Sequence, residues 1–315
     1  MTVLIDLILT AGRSAVELSL FILLPVMVVM LSLMRLLEAR GVLDWLVKRL
    51  APLLKPLGLT GLGVLAALQI NFVSFAAPVA TLSVMEQRGA SDRHLSATLA
   101  LVFSMAQANA ALPMTSMGLH LGSTLVLSLA GGLLAATLTF HLFGRHLSAD
   151  EPPLAPTLAP TLGHPLAESA KGVLDVINRA GAEAFKIAIG AIPMLVLSLV
   201  VVTALRTFGA IDLLTRLLAP LLDALAIDRA IILPALTKYL AGGTAMLGVI
   251  DTMHRSGQAS AEFINASAGF LISPFDIPGV AVLISAGPRV AAVWKPAALG
   301  ACAGITLRTI GHWLL

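Results

Sequence analysis

"GVLDWLVKRLAPLLKPL" (41–57) and "GAIDLLTRLLAPLLDAL" (209–225) agree at nine of seventeen positions, at a constant offset of 168 residues. The offset continues without a gap on both sides. Pro25 falls on Pro193, Met85 on Met253 and Gly89 on Gly257, and near the end of each copy Gly132 and Ala136 fall on Gly300 and Gly304. Leucine richness alone gives chance matches, but not aligned Gly, Asp and Pro. The chain therefore reads as an internal duplication, 1–147 followed by 171–315. Between the copies, "SADEPPLAPTLAPTLGHPLAESA" (148–170) has five prolines, three acids and no helical periodicity. It reads as a flexible, water-exposed linker.

The 315 residues are 58% hydrophobic and 12% charged, whereas a soluble domain has roughly 45–50% and about 25%. Charge is also unevenly placed: no Asp, Glu, Lys or Arg lies between Lys55 and Glu86 or between Arg93 and Arg145. Residues 18–34 and 187–205 are likewise free of charge. A spanning helix needs about 20 mainly apolar residues, because its backbone groups must be satisfied internally. Alternation of period two is absent, which argues against a β-barrel. The fold class is all-α, a polytopic helical membrane protein whose first partner is the lipid bilayer. The net charge of +3 is scattered over short loops, so no nucleic-acid partner is expected. The single cysteine, Cys302, leaves no internal disulfide and reads as a small packing residue. Asp6 interrupts the first apolar run, which argues against a cleaved signal peptide; residues 2–12 are expected as a short interfacial helix.

Each copy repeats one plan. A proline-containing first span (17–37, 184–206) precedes the duplicated stretch. There Leu46, Leu50, Leu53, Leu54 and Leu57 share one helical face, with Asp44, Lys48 and Lys55 opposite. In the second copy Leu214, Leu218, Leu221, Leu222 and Leu225 stand against Asp212, Arg216 and Asp223. Such an element lies on the membrane surface or against the bundle's own flank. A second span (60–85, 229–252), a broken segment (93–117, 261–287) and a last span (123–143, 290–313) follow. Four crossings per copy relate the copies by a parallel axis; a broken segment that re-enters on its own side makes the number odd and the repeats inverted.

Lys238, in "ALTKYLAGGTAMLGVID" (235–251), falls close to mid-bilayer, where a cation costs roughly 2.5 to 17 kcal/mol depending on the reference. It is expected to face the bundle interior and meet an acid. The partner is Asp276 in "FLISPFDIPGVAV" (270–282), where Pro274 and Pro278 should break the helix and free carbonyls. Irregular backbone at this depth is tolerated only inside protein or along a cavity, and corresponding broken helices commonly form midplane sites. The first copy places Gln69 and Asn71 beside Thr237 and Tyr239. It places Gln107 and Asn109 around the position of Pro274–Asp276, with Pro113 supplying a break. Gly242 and Gly243 allow close approach or local unwinding. The candidate solute or ion pathway is thus Lys238, Asp276, Asn71, Gln69, Gln107, Asn109, Tyr239, Gly242 and Gly243. The alternative is a non-transporting scaffold or assembly protein, in which these groups only fix helix packing. HExxH, GxSxG and GxxxxGK[ST] are absent and the seven histidines are dispersed, so no enzyme, cofactor or metal site is expected.

The pattern "LLAPLLDALAI...ILPALTKYLAGGTAMLGVID" resembles the nucleoside-recognition or gate domain family, and "RLAPLLKPLGL...ALQINFVSFAAPVATL" looks like a second, diverged gate. Similar paired gates occur in spore maturation proteins A and B and in the membrane part of the ferrous-iron transporter B, and part of the concentrative nucleoside transporters is grouped with them. The resemblance places the gate signature on Pro220, Lys238, Gly242 and Gly243, with weaker matches at Pro52 and Asn71. It implies a multi-pass protein of a bacterial-type inner membrane that moves a small polar or anionic solute, nucleoside-like or other, with a homo-oligomer left open. A P-loop GTPase segment and a Gln-Thr-Glu-x-Pro hairpin have no counterpart here.

Overall fold

The computed structural model describes residues 2–149, 172–224 and 227–315, which are helical and carry no strand. Nearly all of the expected linker 148–170 lies outside the described residues. Four of the described helices are long and apolar enough to cross a membrane: Ile8–Ala39, Asp92–Met117, Leu121–Phe143 and Val173–Leu205. The first is a rod made of α1 (Thr2–Glu17), a π turn (Leu18–Leu23) and α2 (Leu24–Ala39). The π turn comes just before Pro25, whose missing amide and bulky ring disturb the ladder of the preceding turn. Residues 2–12, expected as a separate interfacial helix, are the first turns of this rod, because nothing there stops the helix. The described α9 (Val173–Thr207) lies along α1 and α2. Arg35 joins it at Glu183, 3.0 Å away, and the Ser19 hydroxyl donates to the Ala188 carbonyl.

The duplicated stretches form α3 (Val42–Leu54) and α10 (Ala210–Ala224). On α10, Ile211 and Leu222 are buried against the bundle. Leu213, Leu217 and Leu221, one turn apart, are exposed, and Asp212, Arg216 and Asp223 form a third side. Such a helix has one face on protein, one suited to acyl chains and one to headgroups or water. The contact with the bundle's flank is thus present, and the exposed leucines leave a second apolar face beside it.

The segments 60–85 and 229–252, expected as spans, turn back instead. Helix α4 (Gly61–Phe72) packs on α5 (Pro78–Gln87). The Thr81 hydroxyl donates to Gln69 Oε1 at 2.7 Å; in one unbroken helix these residues would stand ~18 Å apart. Helix α11 (Ile232–Ala241) packs on α12 (Gly243–Arg255), with Gly242 alone between them. Leu233 and Thr252 line the same groove, although a straight helix would separate them by ~28 Å. The turn is made at Gly242, at φ 88° and ψ 168°, a region open essentially to glycine.

Two interrupted spans follow the hairpins. Helix α6 (Asp92–Ser104) is broken from α7 (Ala108–Met114), and α13 (Ala261–Leu271) from α14 (Ile277–Ile284). The second break spans 272–276 and contains Pro274 and Asp276 as expected, while Pro278 lies in the first turn of α14. The first does not fall at Pro113, which lies inside α7. It is set six or more residues earlier by tertiary partners: the Ala106 N–H donates to Ser128 Oγ at 2.8 Å and the Gln107 N–H to Ile272 O at 2.9 Å.

The two interrupted spans run in opposite directions. The start of α6 lies beside the far end of the chain's other broken span, with Asp92 paired to Arg289. The start of α13 lies where α7 has ended, with Asn265 bonded to the Gly118 carbonyl and the His120 N–H. Hairpin α4–α5 enters from the first of these sides: Pro56 bonds His141 and Glu86 accepts from the Val290 N–H. Hairpin α11–α12 enters from the other side, running at its end into α13. Corresponding segments of the two halves thus run in opposite directions, which departs from the expected four crossings per copy about a parallel axis. Single cysteines at Gln87 and Gln258, in a Cys302→Ser background, are expected to react with a membrane-impermeant maleimide from opposite faces of sealed vesicles; labelling from one face would contradict the inversion.

The bundle closes with α8 (Leu121–Leu138, followed by a π turn), the short α15 (Pro288–Ala292) and α16 (Trp294–Leu314). Trp294 and Trp313 lie ~28 Å apart on α16, close to one hydrocarbon thickness and at the levels where tryptophan anchors. Gly300, Ala301 and Gly304 are buried toward α8 and α6, which leaves Cys302 on the exposed face. It is therefore not the packing residue expected. Two main cores result. One joins α4–α5, α6 and α8 with α14–α16; the other joins α11–α12 and α13 with α1, α7 and α9. Each broken span gives one half to each core, so the breaks lie where the cores meet.

Candidate functional site

At the meeting of the two cores the breaks touch each other: besides the Gln107 N–H bond to Ile272 O, Gln107 Nε2 donates to Ser273 O at 3.3 Å. Both hairpin tips converge there. Gly243 faces Gln107 so closely that an added Cβ would stand 1.9 Å from Nε2. Asn109 holds both tips, accepting from the Phe75 N–H of the first at 3.4 Å and donating to Thr244 Oγ1 of the second at 3.2 Å.

Lys238 and Asp276 are brought together as expected. Nζ lies 3.7 Å from Oδ2, and the side chains are 0% and 2% exposed. The pair is not a direct hydrogen bond. Lys238 Nζ donates instead to the Phe275 carbonyl at 3.0 Å, and it stands 4.5 Å from the Tyr239 ring centroid. Asp276 caps α14, its Oδ1 accepting from the Gly279 N–H at 2.7 Å, while Oδ2 has no hydrogen-bond donor. The carboxylate thus serves two positive groups, a helix N-terminus and an ammonium.

The remaining expected residues are placed around this centre. Asn71 accepts from Ser128 Oγ at 2.8 Å, so the first tip reaches its break through α8. Gln69 closes its own hairpin through Thr81 and does not reach the centre. Tyr239 is half-buried against Phe270. One buried cation went unremarked in the sequence: Arg308, 0% exposed, donates from Nη1 to the Ser104 carbonyl at the end of α6. The signal was present, since Gly300, Gly304 and Arg308 recur at one helical stripe of small, tightly packed residues. Among the described residues no His, Cys, Asp and Glu cluster could hold a metal ion. A groove of about 910 Å³ lies away from this centre, between α1, α9 and hairpin α11–α12, and includes Glu17, Leu233 and Asp251.

Opposed re-entrant hairpins whose tips rest on two crossing, broken helices define a multi-pass helical membrane protein with a transporter fold. Residues 20–143 match the family model Gate, described as nucleoside recognition. Similar solved structures are states of CNTnw, a concentrative nucleoside transporter. A variant in an outward-facing state aligns with TM-score 0.67 at 18% identity, over 93% of this chain and 75% of that one. The inward-facing substrate-bound state aligns with TM-score 0.64 at 18% identity, over 93% and 73%. A variant in an intermediate state gives TM-score 0.64 at 18% identity over 98% and 83%. No curated protein matches.

Proposed function

We propose that the protein is a permease of two inverted gate-type repeats, 1–147 and 171–315, joined by the linker 148–170, in a bacterial-type inner membrane. Its solute is a small polar molecule of the nucleoside class, held where the hairpin tips meet the breaks. The observation that carries this reading is the convergence of both tips on one amide, Asn109, beside a buried ammonium and carboxylate. Gln107, Asn109, Lys238 and Asp276 offer donors and acceptors of the kind that sugar hydroxyls and base edges require, with Gly242 and Gly243 letting backbone approach. Asn71, Tyr239 and Gln69 support the tips. In this conformation the Lys238–Asp276 pair is sealed from solvent.

The sealing of the Lys238–Asp276 pair also favours a second reading, a scaffold in which the pair only fixes packing. Uptake of radiolabelled uridine and adenosine into proteoliposomes separates the two. The permease reading expects uptake by the wild type and its loss, on the order of tenfold or more, in Lys238→Met/Asp276→Asn, with the fold intact. No uptake of either nucleoside by the wild type removes the nucleoside class, and equal uptake by the double variant removes the site.

A further inference from the structure

Both breaks release carbonyls in the interior, and at each break one of them meets a cation belonging to the chain. Phe275 O accepts from Lys238 Nζ in the second break. Ser104 O, the last carbonyl of α6, accepts from Arg308 Nη1 at the first. The C-terminal end of a half-helix carries partial negative charge, and in transporters such ends, with unwound carbonyls, commonly hold a dissociable cation. Here the position at α6 is occupied from within.

Several features fit Arg308 for the task. Its guanidinium is planar, delocalised and more weakly hydrated than an ammonium, which suits burial. Its stem lies over Gly131 of α8, where an added Cβ would be 2.5 Å from Cγ and 2.7 Å from the Gly304 carbonyl. Glycine, with no Cβ, leaves this space for the stem. Nε and Nη2 have no hydrogen-bond partner, and Arg308 has no carboxylate partner among the described residues. An ion-pair role therefore does not explain its burial, whereas its contact with the helix end does. One turn from Gly131, Ser128 ties Asn71 of the first hairpin to the Ala106 N–H of the same break. The cation thus sits beside the joint on which that hairpin docks.

We propose that Arg308 is the resident cation of the α6–α7 break: its tethered guanidinium takes the place of a free alkali-metal ion, so that the docked joint is indifferent to Na+. This goes beyond the choice of solute and does not depend on it. The test uses purified full-length protein in detergent, its thermal unfolding compared in chloride salts of sodium, lithium, potassium and choline at equal ionic strength. The same midpoint is expected in all four. A saturable rise with Na+ or Li+ over choline would reveal an ion bound to the folded state and overturn the proposal. Arg308→Ala is expected to melt lower and to recover with millimolar methylguanidinium but not with N-methylurea, its neutral analogue of similar shape. An unchanged midpoint, or equal recovery with both, makes Arg308 a packing residue and also overturns it. If the alanine variant gives no folded protein, Arg308→Lys is compared with Arg308→Met; the charge-retaining variant must melt higher. None of these measurements needs a solute, so they stand or fall apart from the uptake assay.

Discussion

Lys238→Met is expected to destabilise the folded protein by about 3–5 kcal/mol, the usual cost of removing one member of a buried charged pair. The loss is not the value of the pair itself. It arises because Asp276 stays behind, 2% exposed, with Oδ2 lacking a donor and Phe275 O losing its own. A second change on top of the first therefore improves matters. Asp276→Asn keeps an oxygen for the Gly279 N–H, so the cap on α14 survives while the stranded charge disappears. The double variant Lys238→Met/Asp276→Asn should recover most of the lost stability. Reversible unfolding of the two variants and the wild type in mixed micelles measures this directly. A double variant less stable than the single one would mean that the carboxylate left behind still stabilises the fold through its cap on α14 and is not a stranded charge.

The second large effect is expected at Gly243. A Cβ there would stand 1.9 Å from Gln107 Nε2 and 2.8 Å from its Cδ. Gln107 cannot simply swing away, because its backbone N–H and its amide both bond the opposite break. Gly243→Val should thus push the second tip off both breaks, costing about 1–3 kcal/mol for the overpacking and about 1 kcal/mol more for each hydrogen bond that opens. Gly257→Ala at the outer end of the same hairpin serves as control, since a Cβ there meets nothing within 4 Å and only its positive φ of 74° is strained. Protease resistance of hairpin α11–α12 in detergent reads the difference. Equal resistance in the two variants would show that the tip has room the contact distances do not suggest.

The sequence made the charges legible and the path of the chain illegible, for physical reasons that differ. Lys238 and Asp276 could be paired on paper because hydrocarbon leaves an ammonium few choices, and a proline pair marks where carbonyls come free. The amides of Asn71, Gln107 and Asn109 were found by their register with those residues across the duplication. The reversals at residues 73–77 and at Gly242 were hidden, because an apolar stretch of hairpin length has the composition of a span. What distinguishes them is a contact between residues 12 apart, Gln69 with Thr81, and a backbone angle that only the folded chain reveals. The first break was misplaced for a related reason: Pro113 is the local signal, but Ser128 and Ile272, distant in sequence, take the donors that would have continued the helix. Arg308 was passed over because it stands within a few residues of the chain's end, where a basic side chain ordinarily reaches for water.

Asn109 holds one hairpin by its oxygen and the other by its nitrogen. An amide is rigid and planar, so rotating it to follow one partner turns its back on the other. The two hairpin tips therefore share a single latch, and a shift of either one reaches the other through this side chain.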